Sequence, residues 1–196
     1  MSATASPVEK LTSRTAMMPY LEERFSESAI QQRIGEMAET INSWYPDCRE
    51  LVVVGVLNGS VLFLADLIRK LNVPCHVEFV RLASYGDRTS SSGEVKPVHL
   101  NLPSLNGKDV LIVEDIVDTG LTLQFLHNYL SQLHATRSLR TVTFLDKPSA
   151  RTQSVPVDLS GFDVGNEFLV GYGLDYAGFF RELPFIALLK PTFFEA

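Results

Sequence analysis

Two unbroken apolar runs, LVVVGVL at 51–57 and VLIV at 110–113, constrain the fold of this chain more than any other feature. A strand with one wet face alternates apolar and polar residues. A run without alternation, rich in β-branched side chains, suits a strand buried on both faces. The first run leads through NGS into VLFLADLIRKL; the second leads through EDIVDTG into LQFLHNYLSQL. Both followers have helical length. VEFVRLASY (77–85) and TVTFLD (141–146) read as further strands. Buried strands joined through helices are what parallel pairing needs. The predicted fold class is therefore α/β, with a mostly parallel central sheet flanked by helices.

The flanks are read from spacing. Ile30, Ile34, Met37, Ala38, Ile41 and Trp44 mark one face of a helix from Ser26 to Trp44, with Ser26 or Ser28 as N-cap. Beyond 150 the βα rhythm stops. DLSGFDVG, EFLVGYGLD and FRELPFIALL read as strands and loops forming a cover rather than further βα units. One domain is predicted over 21–196, its core about 45–150 and a small hood from about 21–44 and 151–196, preceded by a flexible segment over 1–20. The polar stretch GDRTSSSGEVKP (86–97) is predicted to be a mobile loop, a length that fits either a plain connection or an active-site lid.

With 45% hydrophobic and 20% charged residues, the 196-residue chain has the composition of an ordinary globular protein. A net charge of −6 argues against a nucleic-acid partner, so any anionic ligand must be handled locally. Cys48 and Cys75 have no CxxC spacing and are predicted to be buried free thiols of a cytoplasmic protein. Neither a leader nor a membrane-spanning run is indicated. His76, His99, His127 and His134 show no metal-ligand clustering, and neither GxxxxGK[ST] nor a strand-associated GxGxxG is present.

The chemistry concentrates at VLIVEDIVDTGLTLQ (110–124). Ligands of open α/β sheets bind beyond the carboxyl ends of the strands, where VLIV delivers Glu114 and Asp115. The turn Asp118-Thr119-Gly120-Leu121-Thr122 then opens a helix. Its N–H groups and positive dipole end favour a phosphate, and the Thr hydroxyls add donors. Carboxylates beside an anion site call for a ligand that also carries donors or cations. A sugar phosphate does, because its hydroxyls can donate to the acid pair.

This stretch resembles the PRPP-binding motif of type I phosphoribosyltransferases: apolar strand, two acids, two variable residues, phosphate loop. Asp at 118, rather than Thr or Ala, is the residue of the family's 6-oxopurine members. From about Arg24 through Leu189 the chain is similar to the hypoxanthine(-guanine) phosphoribosyltransferases. GVLNGS (55–60) resembles the family's pyrophosphate loop, which implies a cis peptide between Leu57 and Asn58 and N–H groups near Gly59 facing pyrophosphate. Many members carry Lys or Arg where this chain has Asn58, so a side-chain cation is missing there.

The resemblance implies the remaining roles. Ser84 and Tyr85, in Ala83-Ser84-Tyr85-Gly86, begin a closing lid. Lys147 meets O6 of the purine, Phe168 stacks on the base and the Leu169 main chain meets its edge. Asp175 binds Mg²⁺ and Arg181 holds pyrophosphate. Glu114 and Asp115 take the ribose hydroxyls, Thr119, Gly120, Leu121 and Thr122 take the 5′-phosphate, and Asp118 accepts the purine proton. The implied reaction transfers the phosphoribosyl group of PRPP to N9 of hypoxanthine or guanine, in a homodimer or homotetramer. A xanthine-preferring enzyme and a non-catalytic PRPP- or nucleotide-binding regulator are the alternatives. Asp118, Lys147, Asp175 and Arg181 together favour an enzyme.

Overall fold

The computed structural model describes residues 14–87 and 90–194, with side chains described for 15–82 and 97–194. A helical turn α1 (Arg14–Met17) leads through a 3₁₀ turn into β1 (Leu21–Phe25) and the long helix α2 (Glu27–Trp44). The apolar spacing of α2 is realised: Ile30, Ile34, Met37 and Ile41 are fully buried. Ser26 caps it, its hydroxyl accepting the Ala29 N–H at 3.2 Å.

The next elements are β2 (Leu51–Leu57), α3 (Val61–Ile68), β3 (Cys75–Asp87), β4 (Ser90–His99), β5 (Asp109–Val117), α4 (Leu121–Leu133), β6 (Ser138–Asp146) and β7 (Leu159–Asp163). They form a six-stranded sheet in the order β4-β3-β2-β5-β6-β7, in which the β3–β4 pair is antiparallel and the other pairs are parallel. Burial on both faces of the predicted runs follows from this order, since β2 and β5 are neighbours inside the sheet. One face shows how α4 is held. Leu123, Leu126 and Leu130 form its apolar stripe and pack with Val52, Val54, Val56, Val110 and Ile112. Each buried leucine contributes about 2 kcal/mol of transfer free energy.

A second, three-stranded sheet contains β1, β9 (Ile186–Leu189) and β8 (Leu169–Val170), in that order and antiparallel. The described residues fall into two compact units, divided at Gln31/Gln32 and Asn166/Glu167. The six-stranded sheet lies in one unit and the three-stranded sheet in the other. Met17, Leu21, Val170, Phe180, Leu183, Ala187, Leu189 and Phe193 build the core of the smaller unit.

Four expectations are corrected. The segment DLSGFDVG does not join a cover: β7 extends the main sheet, pairing in parallel with β6 from Val142↔Leu159 to Asp146↔Asp163. Five residues are too few for the pattern to distinguish a parallel edge strand from a cover strand. Residues 14–20 are not a loose tail but two helical turns that place Met17 in a core; residues 1–13 of the flexible-segment expectation lie outside the described residues. Most of the stretch expected as a mobile loop at 86–97 is strand, with Tyr85 paired to Glu94 and Gly86 to Ser91 across an irregular register. The two cysteines are free but half-buried rather than buried. Among the described residues no helix is long and apolar enough to cross a membrane.

Candidate active site

The strand β5 carries the acid pair further into the sheet than VLIV alone suggests. Its ladder with β6 runs to Val117↔Asp146 and includes Glu114↔Thr143. Glu114 is therefore inside, 7% exposed, and its Oε2 has no hydrogen-bond partner among the described residues. Burial, and then the nearby charge of Asp115, push its carboxyl well above the ordinary carboxylate range.

Asp115 faces the turn after β2. Its Oδ1 accepts the Ile116 N–H at 2.8 Å. A Cβ at Gly59 would lie 1.5 Å from Asp115 Oδ2, so only glycine lets this turn and the carboxylate approach so closely. The Leu57–Asn58 peptide is cis, at the position the resemblance implies. Asn58 is exposed and Gly59 buried. Ser60 donates its hydroxyl to Val56 O at 2.6 Å, closing the turn before α3 begins.

Beyond β5, Asp118 and Thr119 lead to Gly120, which takes a left-handed φ of 85° and stands at the N-cap of α4. Glycine meets both demands of this position. It accepts that φ freely, and a Cβ there would come within 2.9 Å of Arg151 Cδ and 3.1 Å of Gln153 O. The first-turn N–H groups of α4 have no acceptor within the helix. They border a 280 Å³ pocket lined by Glu114 and the run 116–123. The pocket thus combines a helix N-terminus, two threonine hydroxyls and a buried carboxylate.

Sequence reasoning missed the brace behind this loop. Thr119 O accepts the N–H groups of Thr152 and Gln153, both at 3.0 Å, and the Thr152 hydroxyl at 3.2 Å. Arg151 is anchored in turn by an ion pair with Asp146. No motif announces such a brace, because its donors, mostly backbone groups, lie more than thirty residues downstream.

Lys147 follows β6, and its N–H donates to Val117 O at 2.9 Å, which fixes the lysine beside the end of β5. Its Nζ lies 3.6 Å from Asp118 Oδ2; the lysine side chain is 12% exposed and that of the aspartate 53%. Two residues singled out separately in the sequence are thereby neighbours. Ser84 and Tyr85 lie in β3 with their backbones paired to Val95 and Glu94, and their side chains lie outside the described residues.

Phe168, Leu169, Asp175 and Arg181 share the smaller unit. Leu169 opens β8 opposite Leu188, and Phe168 just before it is 46% exposed, its carbonyl accepting the Leu189 N–H at 2.9 Å. Asp175 uses both carboxylate oxygens: Oδ2 accepts the Gly178 N–H at 2.7 Å, and Oδ1 pairs with Arg181 at 2.7 Å. Arg181 also donates to Gly173 O at 2.6 Å. The backbone here turns sharply, with positive φ at Gly171, Tyr172, Gly173, Ala177, Gly178 and Phe180. At the fully buried Phe180, φ is 79°, a conformation costing a phenylalanine about 1–3 kcal/mol and held by the surrounding core.

Comparison with known proteins agrees with this geometry. Residues 24–177 match the family model of the phosphoribosyl transferase domain. The chain is 43% identical over 171 residues to the hypoxanthine-guanine phosphoribosyltransferase of Bacillus subtilis, covering 87% of this chain and 94% of that one. It is 45% identical over 161 residues to the hypoxanthine phosphoribosyltransferase of Salmonella typhimurium, covering 82% and 90%. Among solved structures, a hypoxanthine phosphoribosyltransferase from Staphylococcus aureus superposes with a TM-score of 0.85 at 37% identity, over 93% of this chain and 97% of that one. The Trypanosoma cruzi hypoxanthine phosphoribosyltransferase, in complex with its product IMP, gives 0.81 at 40% identity over 88% and 96%.

Proposed function

We infer, from the premise that this chain belongs to the phosphoribosyl transferase domain family and stands within it among the hypoxanthine-guanine phosphoribosyltransferases, that it is a purine-salvage enzyme. It transfers the 5-phosphoribosyl group of PRPP to N9 of a 6-oxopurine and releases pyrophosphate. The observation that carries this reading is the ammonium of Lys147 3.6 Å from the carboxylate of Asp118, where Asp118 lines the pocket at the start of α4. A donor for an oxo group and an acceptor for a ring proton stand side by side next to an anion site.

The residues divide the work. The helix N-terminus and the hydroxyls of Thr119 and Thr122 take the 5′-phosphate, with the backbone of Gly120 and Leu121 beside them. The ribose hydroxyls donate to Glu114 and Asp115, giving the orphaned Glu114 Oε2 a partner. The C1′–O bond to pyrophosphate breaks with its electron pair leaving on oxygen, and the N9 lone pair forms the new bond to C1′. The ring N–H proton passes to Asp118. Positive charge on the sugar peaks in the transition state, where the carboxylates stabilise it most. The turn at Leu57, Asn58 and Gly59, together with Arg181, takes the departing pyrophosphate. Phe168 stacks on the base and the Leu169 main chain meets its edge.

The donor set fits Mg²⁺, which suits one or two carboxylates completed by phosphate oxygens. Asp175 is the protein's candidate ligand. Oxygens of the phosphate substrate would complete the shell. When bound, the ion offsets the negative charge of the departing pyrophosphate. We place the enzyme in the cytoplasm as a homodimer or homotetramer; the free thiols at Cys48 and Cys75 support a reducing compartment.

The test is a PRPP- and Mg²⁺-dependent assay across hypoxanthine, guanine, xanthine and adenine. Turnover of a 6-oxopurine and rejection of adenine are expected, because an amino group facing Lys147 leaves donors unpaired at about 1–3 kcal/mol each. Asp118→Asn should lower kcat by at least about tenfold with little change in PRPP affinity. Near-normal turnover by that variant would remove Asp118 from its role, and inactivity on all four bases would leave a binding protein.

A further inference from the structure

Consecutive residues of a 3₁₀ turn project about 120° apart, so the phenylalanine pair in the turn at Pro191–Phe193 and its C-cap points two ways, although the two rings touch edge-on at 5.5 Å. Phe193 is fully buried and meets Tyr20 and Tyr176 edge-on, each at 5.4 Å between ring centroids. Phe194 stays 42% exposed. With Tyr176 and Phe168 it closes a triangle of edge-on rings. The three pairs are Phe168–Phe194 at 6.2 Å and 77°, Phe168–Tyr176 at 5.8 Å and 78°, and Tyr176–Phe194 at 5.4 Å and 75°.

Edge-to-face contact of this kind is the arrangement the ring quadrupole favours. It addresses a specific difficulty. A stacking ring must be exposed to receive its ligand, yet an exposed phenylalanine with free side-chain torsions pays an ordering cost on every binding event. Here the carbonyl of Phe168 accepts the Leu189 N–H, and two near-perpendicular rings contact its ring while almost half of the residue stays open. The turn that presents Phe194 is itself pinned. Lys190 N–H donates to Tyr20 O at 2.9 Å, Lys190 Nζ donates to Pro19 O at 3.0 Å, and the Phe194 N–H donates to Pro191 O at 2.9 Å.

We propose that Phe194 is a positioning residue for the purine: its ring holds the plane of Phe168 in the orientation on which the base stacks. The inference rests on the stacking role assigned to Phe168 above. Phe194 acts through Phe168, and its contribution is to base affinity rather than to bond breaking.

The experiment is steady-state kinetics on the full chain with Phe194→Ala, Phe194→Tyr and Phe168→Ala, each with a thermal melt. Phe194→Ala should raise KM for hypoxanthine about three- to tenfold, while kcat and KM for PRPP change less than about twofold. Phe194→Tyr, which keeps the ring, should restore base KM to within about twofold of the parent. Phe168→Ala should raise base KM at least as much as Phe194→Ala. An unchanged base KM in Phe194→Ala beside a raised one in Phe168→Ala overturns the positioning role and leaves the stacking role standing. A base KM untouched by Phe168→Ala removes the stacking role and the inference with it. A parallel loss in kcat and both KM values with a lowered melting temperature makes Phe194 merely structural, which also overturns it.

Discussion

Asp109 and Glu114 lie on the same strand, five residues apart, and are almost equally buried at 6% and 7% exposure. Their situations are opposite. Asp109, at the amino end of β5, is saturated: Arg137 Nε donates to both of its oxygens at 3.0 Å and pairs with it through a second nitrogen, Ser138 donates at 2.7 Å and Cys48 at 3.1 Å. Those donors, Arg137 foremost, hold its carboxyl well below the ordinary range. Glu114 has one oxygen without a partner, and its carboxyl is pushed up. Burial does not decide what a carboxylate does in this protein; the supply of donors does. Asp109 joins Cys48, Arg137 and Ser138 in one network, whereas Glu114 Oε2 is bonded by none of the described residues.

Glu114→Gln tests the contrast hardest. It should lower kcat/KM for PRPP about a hundredfold, since an oxygen acceptor proposed for the ribose hydroxyls is exchanged for an amide donor. The same change should raise the melting temperature, because a carboxyl that ionises more readily in the unfolded chain than in the fold is replaced by a group that does not titrate. A fall in both activity and stability would make Glu114 a structural acid like Asp109. Asp109→Asn should do the reverse. It should cost about 2 kcal/mol, or roughly 4–8 °C in a chain of this size, with kcat within about twofold of the parent, measured by melting and by the same assay.

The smallest effect concerns pH. The folded pKa of Asp109 lies below its unfolded value of about 3.9, so its contribution is complete above that pH and is lost as pH falls through the folded pKa. The gap in stability between parent and Asp109→Asn should therefore close in acid. For Glu114 the folded pKa lies above an unfolded value of about 4.3, so stability declines as pH rises from there toward the folded pKa. Glu114→Gln should flatten that decline. Chemical denaturation across the acid range reads both slopes, and an acid-independent gap for Asp109→Asn would remove its carboxylate from the network.

The same pair marks how far sequence reading reaches. Glu114 is visible because its meaning is local, an acid between an apolar run and a phosphate loop. Asp109 is an equally ordinary acid, but its partners arrive from Cys48, 61 residues upstream, and from Arg137 and Ser138, 28 and 29 residues downstream. Local patterns carried β2, β5, α2 and α4, where long periodic or continuous runs leave little choice. They failed where a short strand's neighbour decides its place, as for β7, and where backbone groups do the holding, as at Thr119 O. Asp118 and Lys147 were each singled out in the sequence, Lys147 through the resemblance, but their adjacency needed β5 and β6 to lie in parallel register.

The contact between Gly59 and Asp115 has a consequence for anyone wishing to redesign this protein. The turn after β2 and the acid pair on β5 are separated by more than fifty residues, yet a single methyl group at 59 would collide with the Asp115 carboxylate. The two segments are not independent modules. A turn grafted here from a relative must keep glycine at 59, or bring its own version of β5 with it.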